Sequence, residues 1–154
     1  MIRLRMSFPT LITVSVVLLS VTAFAQDKPP SEPSTGDLHV VVSGFQSDTG
    51  DVKIALSNSE SNYTSKSSAF RGTSATIESD KATAVFADLP YGEYAVRVYH
   101  DANGNDKLDT NFMGIPKEPY GFSNNVRGTF GPAKWDKAKF DFRMQRLTVE
   151  IRVK

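Results

Sequence analysis

Alternation of apolar and polar residues in short runs sets the limits on what this chain can fold into. Leu38, Val40 and Val42 alternate with His39, Val41 and Ser43, and Val52, Ile54 and Leu56 with Lys53, Ala55 and Ser57. Ala82, Ala84 and Phe86 share one face of Lys81 to Ala87, and Tyr94, Val96 and Val98 follow. Late in the chain Phe140, Phe142 and Met144 alternate with Asp141 and Arg143, then Leu147, Val149, Ile151 and Val153 with Thr148, Glu150 and Arg152. Successive side chains of a strand point to opposite faces, so each run has one apolar face to bury. No long segment carries a helical stripe. Many short strands separated by Gly and Pro turns predict an all-β protein, an antiparallel β-sandwich of about seven strands with one long loop. Ser47 to Gly50 reads as the turn of a hairpin joining the first two strands, and Asp88 to Gly92 as another turn. Ala75 to Glu78 reads as a short edge strand, Ser59 to Gly72 as a loop or one short helix, and Trp135 to Ala138 as a helical turn.

The N-terminus has the pattern of a signal peptide. Arg3 and Arg5 precede an apolar stretch, Leu11 to Val21, and Ala23-Phe24-Ala25 fits a cleavage site after Ala25. The stretch is shorter than the ~20 residues of a spanning helix; an uncleaved N-terminal anchor is the alternative. Cleavage would leave residues 26–36, rich in Pro and Ser, as a disordered leader, and residues 37–154 as one domain. The expected location is periplasmic or secreted, with no membrane span after cleavage. There is no Cys, so neither a disulfide nor a cysteine-acylated lipoprotein is available, and stability must come from the core. With 18 Lys+Arg against 17 Asp+Glu there is no basic stripe of the kind that binds nucleic acid.

The run from His100 to Asn111 carries the most distinctive chemistry. Asp101, Asn103, Asn105 and Asp109 fall at positions 1, 3, 5 and 9 of a calcium loop, and Lys107 would offer its backbone carbonyl at position 7. Position 6 is Asp106 instead of Gly, and position 12 is Phe112 instead of a bidentate Glu. Glu118 is a candidate to replace the missing carboxylate, because Gly114 and Pro116 could turn the chain back. A strand enters the loop, so a helix-pair sensor is not predicted. With few carboxylates the expected ion is a weak, structural calcium, with affinity on the order of 10⁻⁴–10⁻³ M. The alternative is a metal-free turn whose Asn and Asp side chains cap their own backbone.

The connection continues to Trp135 without regular periodicity, and long connections in compact domains are usually functional or disordered. Its aromatic content argues against disorder. His100, Tyr120, Phe122, Ser123, Asn124 and Asn125 are the candidate binding residues, with Phe130, Trp135 and Arg127 nearby; the alternative is that the rings plug one end of the sandwich and the Asn side chains cap turns. Catalysis has little support. His100 beside Asp101 or Glu118 could act as a base, but Ser123 lacks a nucleophile-elbow context and no zinc-type cluster occurs.

Asp88-Leu89-Pro90-Tyr91-Gly92-Glu93-Tyr94-Ala95-Val96, then His100 to Asp109, then Gly114-Ile115-Pro116-Lys117-Glu118-Pro119-Tyr120-Gly121-Phe122-Ser123-Asn124-Asn125 resemble the bacterial family called domain of unknown function 2141. The resemblance extends to Phe130-Gly131-Pro132 and Phe140 and covers most of Leu38 to Val153. It implies a small exported protein of Gram-negative bacteria with no established activity. More distantly, the strand–turn–strand pattern is similar to prealbumin-like and carboxypeptidase-regulatory-like sandwiches, within an immunoglobulin-like or prealbumin-like architecture, and the loop is similar to calcium loops of bacterial surface adhesins. The expectation is a non-catalytic binding module for an envelope or extracellular partner, whether protein, peptide or glycan. The rivals are a hydrolase-type enzyme using His100 and a purely structural envelope protein.

Overall fold

The computed structural model describes residues 34–65, 69–129 and 131–154. The expected signal peptide, residues 26–33 of the leader, and Phe130 lie outside the described residues. Thr35 and Gly36, assigned to the leader from sequence, already belong to the first strand. The strands are β1 (Thr35–Ser43), β2 (Asp51–Ser57), β3 (Arg71–Thr76), β4 (Lys81–Pro90), β5 (Gly92–Asp101), β6 (Tyr120–Phe122), β7 (Phe140–Phe142) and β8 (Arg146–Arg152). Among the described residues helix is confined to α1 (Glu60–Thr64), α2 (Trp135–Ala138) and a 3-10 turn over Ser123–Asn125.

The strands form two sheets. One has the order β4-β1-β8; the other runs β3-β2-β5-β6, with β7 also paired to β5. Their alternating apolar faces meet. Leu38, Val40 and Val42 of β1, Phe86 of β4 and Ile151 of β8 pack with Val52, Ile54 and Leu56 of β2 and Val96 and Val98 of β5. Burying each such side chain contributes roughly 1.5–3 kcal/mol, and this shared layer holds the sheets together.

Three expectations need correction. First, β1 and β2 do not form a hairpin: β1 pairs with β4 and β8, and β2 with β3 and β5. The connection after Ser43 crosses the core instead, burying Phe45, and the Asp48 carboxylate accepts the N–H groups of Ser79 and Asp80. Asp88 to Gly92 is likewise a passage between sheets, since β4 runs to Pro90 in one and β5 starts at Gly92 in the other. Second, the fold is not wholly antiparallel: β8 runs parallel to β1, with Val40 opposite Val149. Third, there are eight strands among the described residues, and Met144 lies beyond β7, half exposed.

The outer face of the second sheet carries a second, smaller core. Alternation along β5 puts Tyr94, Val96 and Val98 inside the sandwich and Ala95 outside. Ala95 packs with Tyr63 of α1, Phe122 of β6, and Trp135 and Ala138 of α2. The Tyr63 hydroxyl donates to the Ala133 carbonyl at 2.9 Å. Arg97 lies over the Tyr63 ring, and burial pushes the phenol up to about 12. Both α1 and α2 therefore serve to cover one sheet face.

Candidate functional site

The long connection begins where β5 ends. Asp51 is opposite Asp101 and Lys53 opposite Tyr99, so Lys53 and Asp101 are diagonal neighbours on the outer sheet face. The Lys53 ammonium lies 3.6 Å from Asp101 Oδ2 and 2.5 Å from Asp106 Oδ1. Asp101 is fully buried. Its carboxylate accepts the N–H groups of Asn105 at 3.0 Å and Asp106 at 2.9 Å. Burial alone would push this carboxyl up, but those N–H groups and the nearby Lys53 outweigh it, and its pKa lies below the ordinary value. The Asp106 hydrogen bond, opposed by partial burial, raises Lys53.

The alternate oxygen-bearing residues close successive turns. Asn103 Oδ1 accepts the Asn105 N–H, and Asn105 Oδ1 accepts the Lys107 N–H. The Asn103 and Asn105 amides then donate to the two Asp109 oxygens at 2.8 and 3.1 Å. Asp106 takes a left-handed conformation, φ 59°, as position 6 of such a loop requires. Buried Glu118 spans the loop: Oε1 accepts the Ala102 N–H at 3.1 Å and Oε2 the Asp109 N–H at 2.8 Å. The chain reaches Glu118 through a turn centred on Gly114, φ 76°, with Thr110 bridged to Pro116. The structure thus gathers the side chains of Asp101, Asn103, Asn105, Asp109 and Glu118 into one polar cap. Lys107 contributes its N–H, and its side chain is exposed. Among the described residues no group of three or more His, Cys, Asp or Glu is placed to hold a metal ion. In the described geometry, backbone N–H groups, the Asn103 and Asn105 amides and Lys53 satisfy the carboxylates.

The six candidate binding residues are engaged with the protein itself. His100 is buried, its Nε2 2.6 Å from the Thr49 carbonyl and its ring edge-on to Phe45. Gly50 follows Thr49 with φ 79°, and a Cβ there would collide with the Asp101 carbonyl, so only glycine fits this approach. Phe122 is part of the smaller core; half-buried Tyr120 packs edge-on to it, under Arg127. The buried Ser123 hydroxyl donates to the Ala138 carbonyl at 2.5 Å and accepts the Val96 N–H at 3.0 Å. The Asn124 amide reaches the carbonyls of Lys137, Ala138 and Lys139 at the end of α2. Asn125 donates to the Glu150 carbonyl and accepts the Arg152 N–H on β8. These residues pin the returning connection to β5, α2 and β8.

What the connection leaves in the open is its tip. Phe112 is 96% exposed, Met113 64% and Ile115 54%. In the register of a calcium loop Phe112 stands only where a ligand is missing. The available signal was three apolar residues around Gly114, in a segment without the alternation that would bury them.

Fold and loop together define a two-sheet β protein with one long, internally clamped connection ending in an apolar tip. The family described as uncharacterized protein conserved in bacteria (DUF2141) matches residues 40–150, and the chain belongs to that family. No curated protein and no solved structure matches the chain significantly. No helix among the described residues is long and apolar enough to cross a membrane.

Proposed function

We propose that the protein is an exported, non-catalytic β-sandwich module that works by binding, with the tip of the long connection as its contact surface. The observation that carries this reading is the exposure of Phe112, Met113 and Ile115 on a loop whose carboxylates and Asn103 and Asn105 amides are used internally. Exposed apolar clusters of this sort mark interaction sites. The burial of His100 favours binding over a hydrolase. Placement of β1 and β2 in opposite sheets favours the prealbumin-like form over the immunoglobulin-like one, whose first two strands share a sheet.

Calcium enters this reading as a weak structural ion. It would take Asp101, Asn103, Asn105, the Lys107 carbonyl, Asp109 and Glu118, displacing the Lys53 ammonium from the carboxylates. Its role would be to tighten the cap.

The chain has no cysteine, so single cysteines report on contact in the cell. Phe112→Cys is expected to be shielded from an impermeant maleimide in the intact envelope and reactive once purified. Thr148→Cys, on an exposed position of β8, should react equally in both. Equal reactivity of the two positions in the envelope would remove the binding reading. Mass spectrometry of the mature N-terminus tests export, with Gln26 expected first.

A further inference from the structure

We propose that Asn103 is a modification site: its side-chain amide is lost through attack by the Gly104 nitrogen, and the carboxylate left behind undoes one bond of the clamp. This holds whatever the tip contacts.

Asn103-Gly104 is the one Asn-Gly pair in the chain. The reaction needs a side-chain amide followed by an unhindered backbone nitrogen, because the two close a five-membered ring. Glycine has no Cβ to obstruct that closure. Both residues are exposed, Gly104 takes φ 70°, and no neighbour lies within 4 Å of where its Cβ would stand. The ring can therefore form and open without disturbing either core. The Asn105 N–H also donates to Asn103 Oδ1 at 3.2 Å. That oxygen takes up negative charge when Cγ is attacked, and a donor already aimed at it lowers the barrier.

The steps balance with water alone. The Gly104 nitrogen bonds to Asn103 Cγ and gives its proton to solvent. The Cγ–Nδ2 bond breaks, and the nitrogen leaves as ammonia after taking a proton from solvent. Water then opens the cyclic imide at one of its two carbonyls, leaving aspartate or isoaspartate. One water is consumed and one ammonia released, with nothing oxidised or reduced.

The product changes the cap at one contact. In aspartate the Oδ1 contact survives, since a carboxylate oxygen accepts the Asn105 N–H as the amide oxygen did. The other contact reverses. Asn103 Nδ2 donates to Asp109 Oδ2 at 2.8 Å; in the product an oxygen stands there, and two carboxylates meet. Like charges in contact repel, and Lys53 is already held by Asp101 and Asp106. Isoaspartate in addition lengthens the backbone within the turn. The aged cap is one hydrogen bond weaker and one charge more negative, and a divalent cation would offset that charge. This last point alone rests on the reading of the loop as a calcium site.

The test ages the exported chain at about pH 8, folded and in urea, and follows each Asn by mass spectrometry with fragmentation. Position 103 is expected to gain about 1 Da sooner than Asn58, Asn62, Asn105, Asn111 or Asn124. The folded rate should lie within about tenfold of the rate in urea. Gain of mass in urea but none in the folded chain would show that the Asn103–Asp109 bond protects the amide, and overturns the proposal. Asn103→Asp reproduces the aspartate product. Without calcium it should melt about 4 °C or more below the parent; melting with the parent would overturn the claim that the product weakens the clamp. In about 10 mM calcium the gap should narrow. A gap that calcium leaves unchanged removes the calcium reading, while the modification stands on the mass and the calcium-free melting.

Discussion

Asp101 does more than any other single residue to shape the connection. It ends β5, closes the next turn through two N–H groups, and faces Lys53 across the sheet. Replacing it by Ala strands two donors and a cation, and is expected to cost about 2–3 kcal/mol in urea denaturation. The pH dependence follows from its lowered pKa. Stability from this group is fully present above the unfolded value of about 3.9 and is lost as pH falls through the lower folded value. The parent should therefore lose melting temperature below about pH 4 more steeply than Asp101→Asn; parallel curves would contradict the assignment. Ser123→Ala removes a buried hydroxyl that both donates and accepts, at an expected cost of about 1–2 kcal/mol by the same measurement. At this scale Glu118 was legible in the sequence, because Gly114 and Pro116 announce a return of the chain. Asn124 and Asn125 were not. An amide that caps its own backbone and one that awaits a ligand are the same letter, and only the position of the α2 and β8 backbone tells them apart.

Among elements, the turn over Asn111 to Ile115 is the most exposed and the most dependent on one side chain. Asn111→Ala deprives the Met113 and Ile115 N–H groups of their acceptor. Backbone order parameters across residues 112–115 should fall from about 0.85 toward 0.6 by ¹⁵N relaxation, with little change in global stability. Unchanged order would mean that the turn is held by something else. Alternation along Leu38 to Val42 and Val52 to Leu56 correctly identified which residues enter the core. It did not identify partners, since period two specifies faces and not neighbours. Ser47 to Gly50 reverses the chain, but the buried Phe45 preceding it carries that reversal across the core, so the local turn signal suggested a hairpin that does not form.

At the level of the whole molecule, β8 closes the fold. It runs along β1 in parallel and adds Ile151 to the core, with Val153 buried just beyond it. No local pattern could reveal this pairing, because its partners are separated by nearly the whole domain and parallel pairing needs a long crossover. A chain ending at Gln145 is expected to lack cooperative thermal unfolding by circular dichroism; a cooperative transition would show that the two-sheet body stands without β8. The proposed calcium would act at this scale as well. With affinity on the order of 10⁻³ M, about 10 mM calcium should add ~1.4 kcal/mol of stability, read as a rise of about 5 °C in melting temperature that a chelator reverses. In Lys53→Met, which removes the competing ammonium, the rise should be larger. A melting temperature indifferent to calcium in both proteins would leave the cap as a metal-free clamp.

The most direct test concerns that clamp, since the tip is presented only if the connection behind it is fixed. Amide hydrogen exchange should be followed in calcium-free solution at Ala102, Asn105, Asp106 and Asp109, whose N–H groups donate to Asp101, Asn103 and Glu118. Protection of about 100-fold or more over an open chain is the predicted result. Exchange of these four amides at open-chain rates, with β5 still protected, would show an unfixed connection and contradict the account.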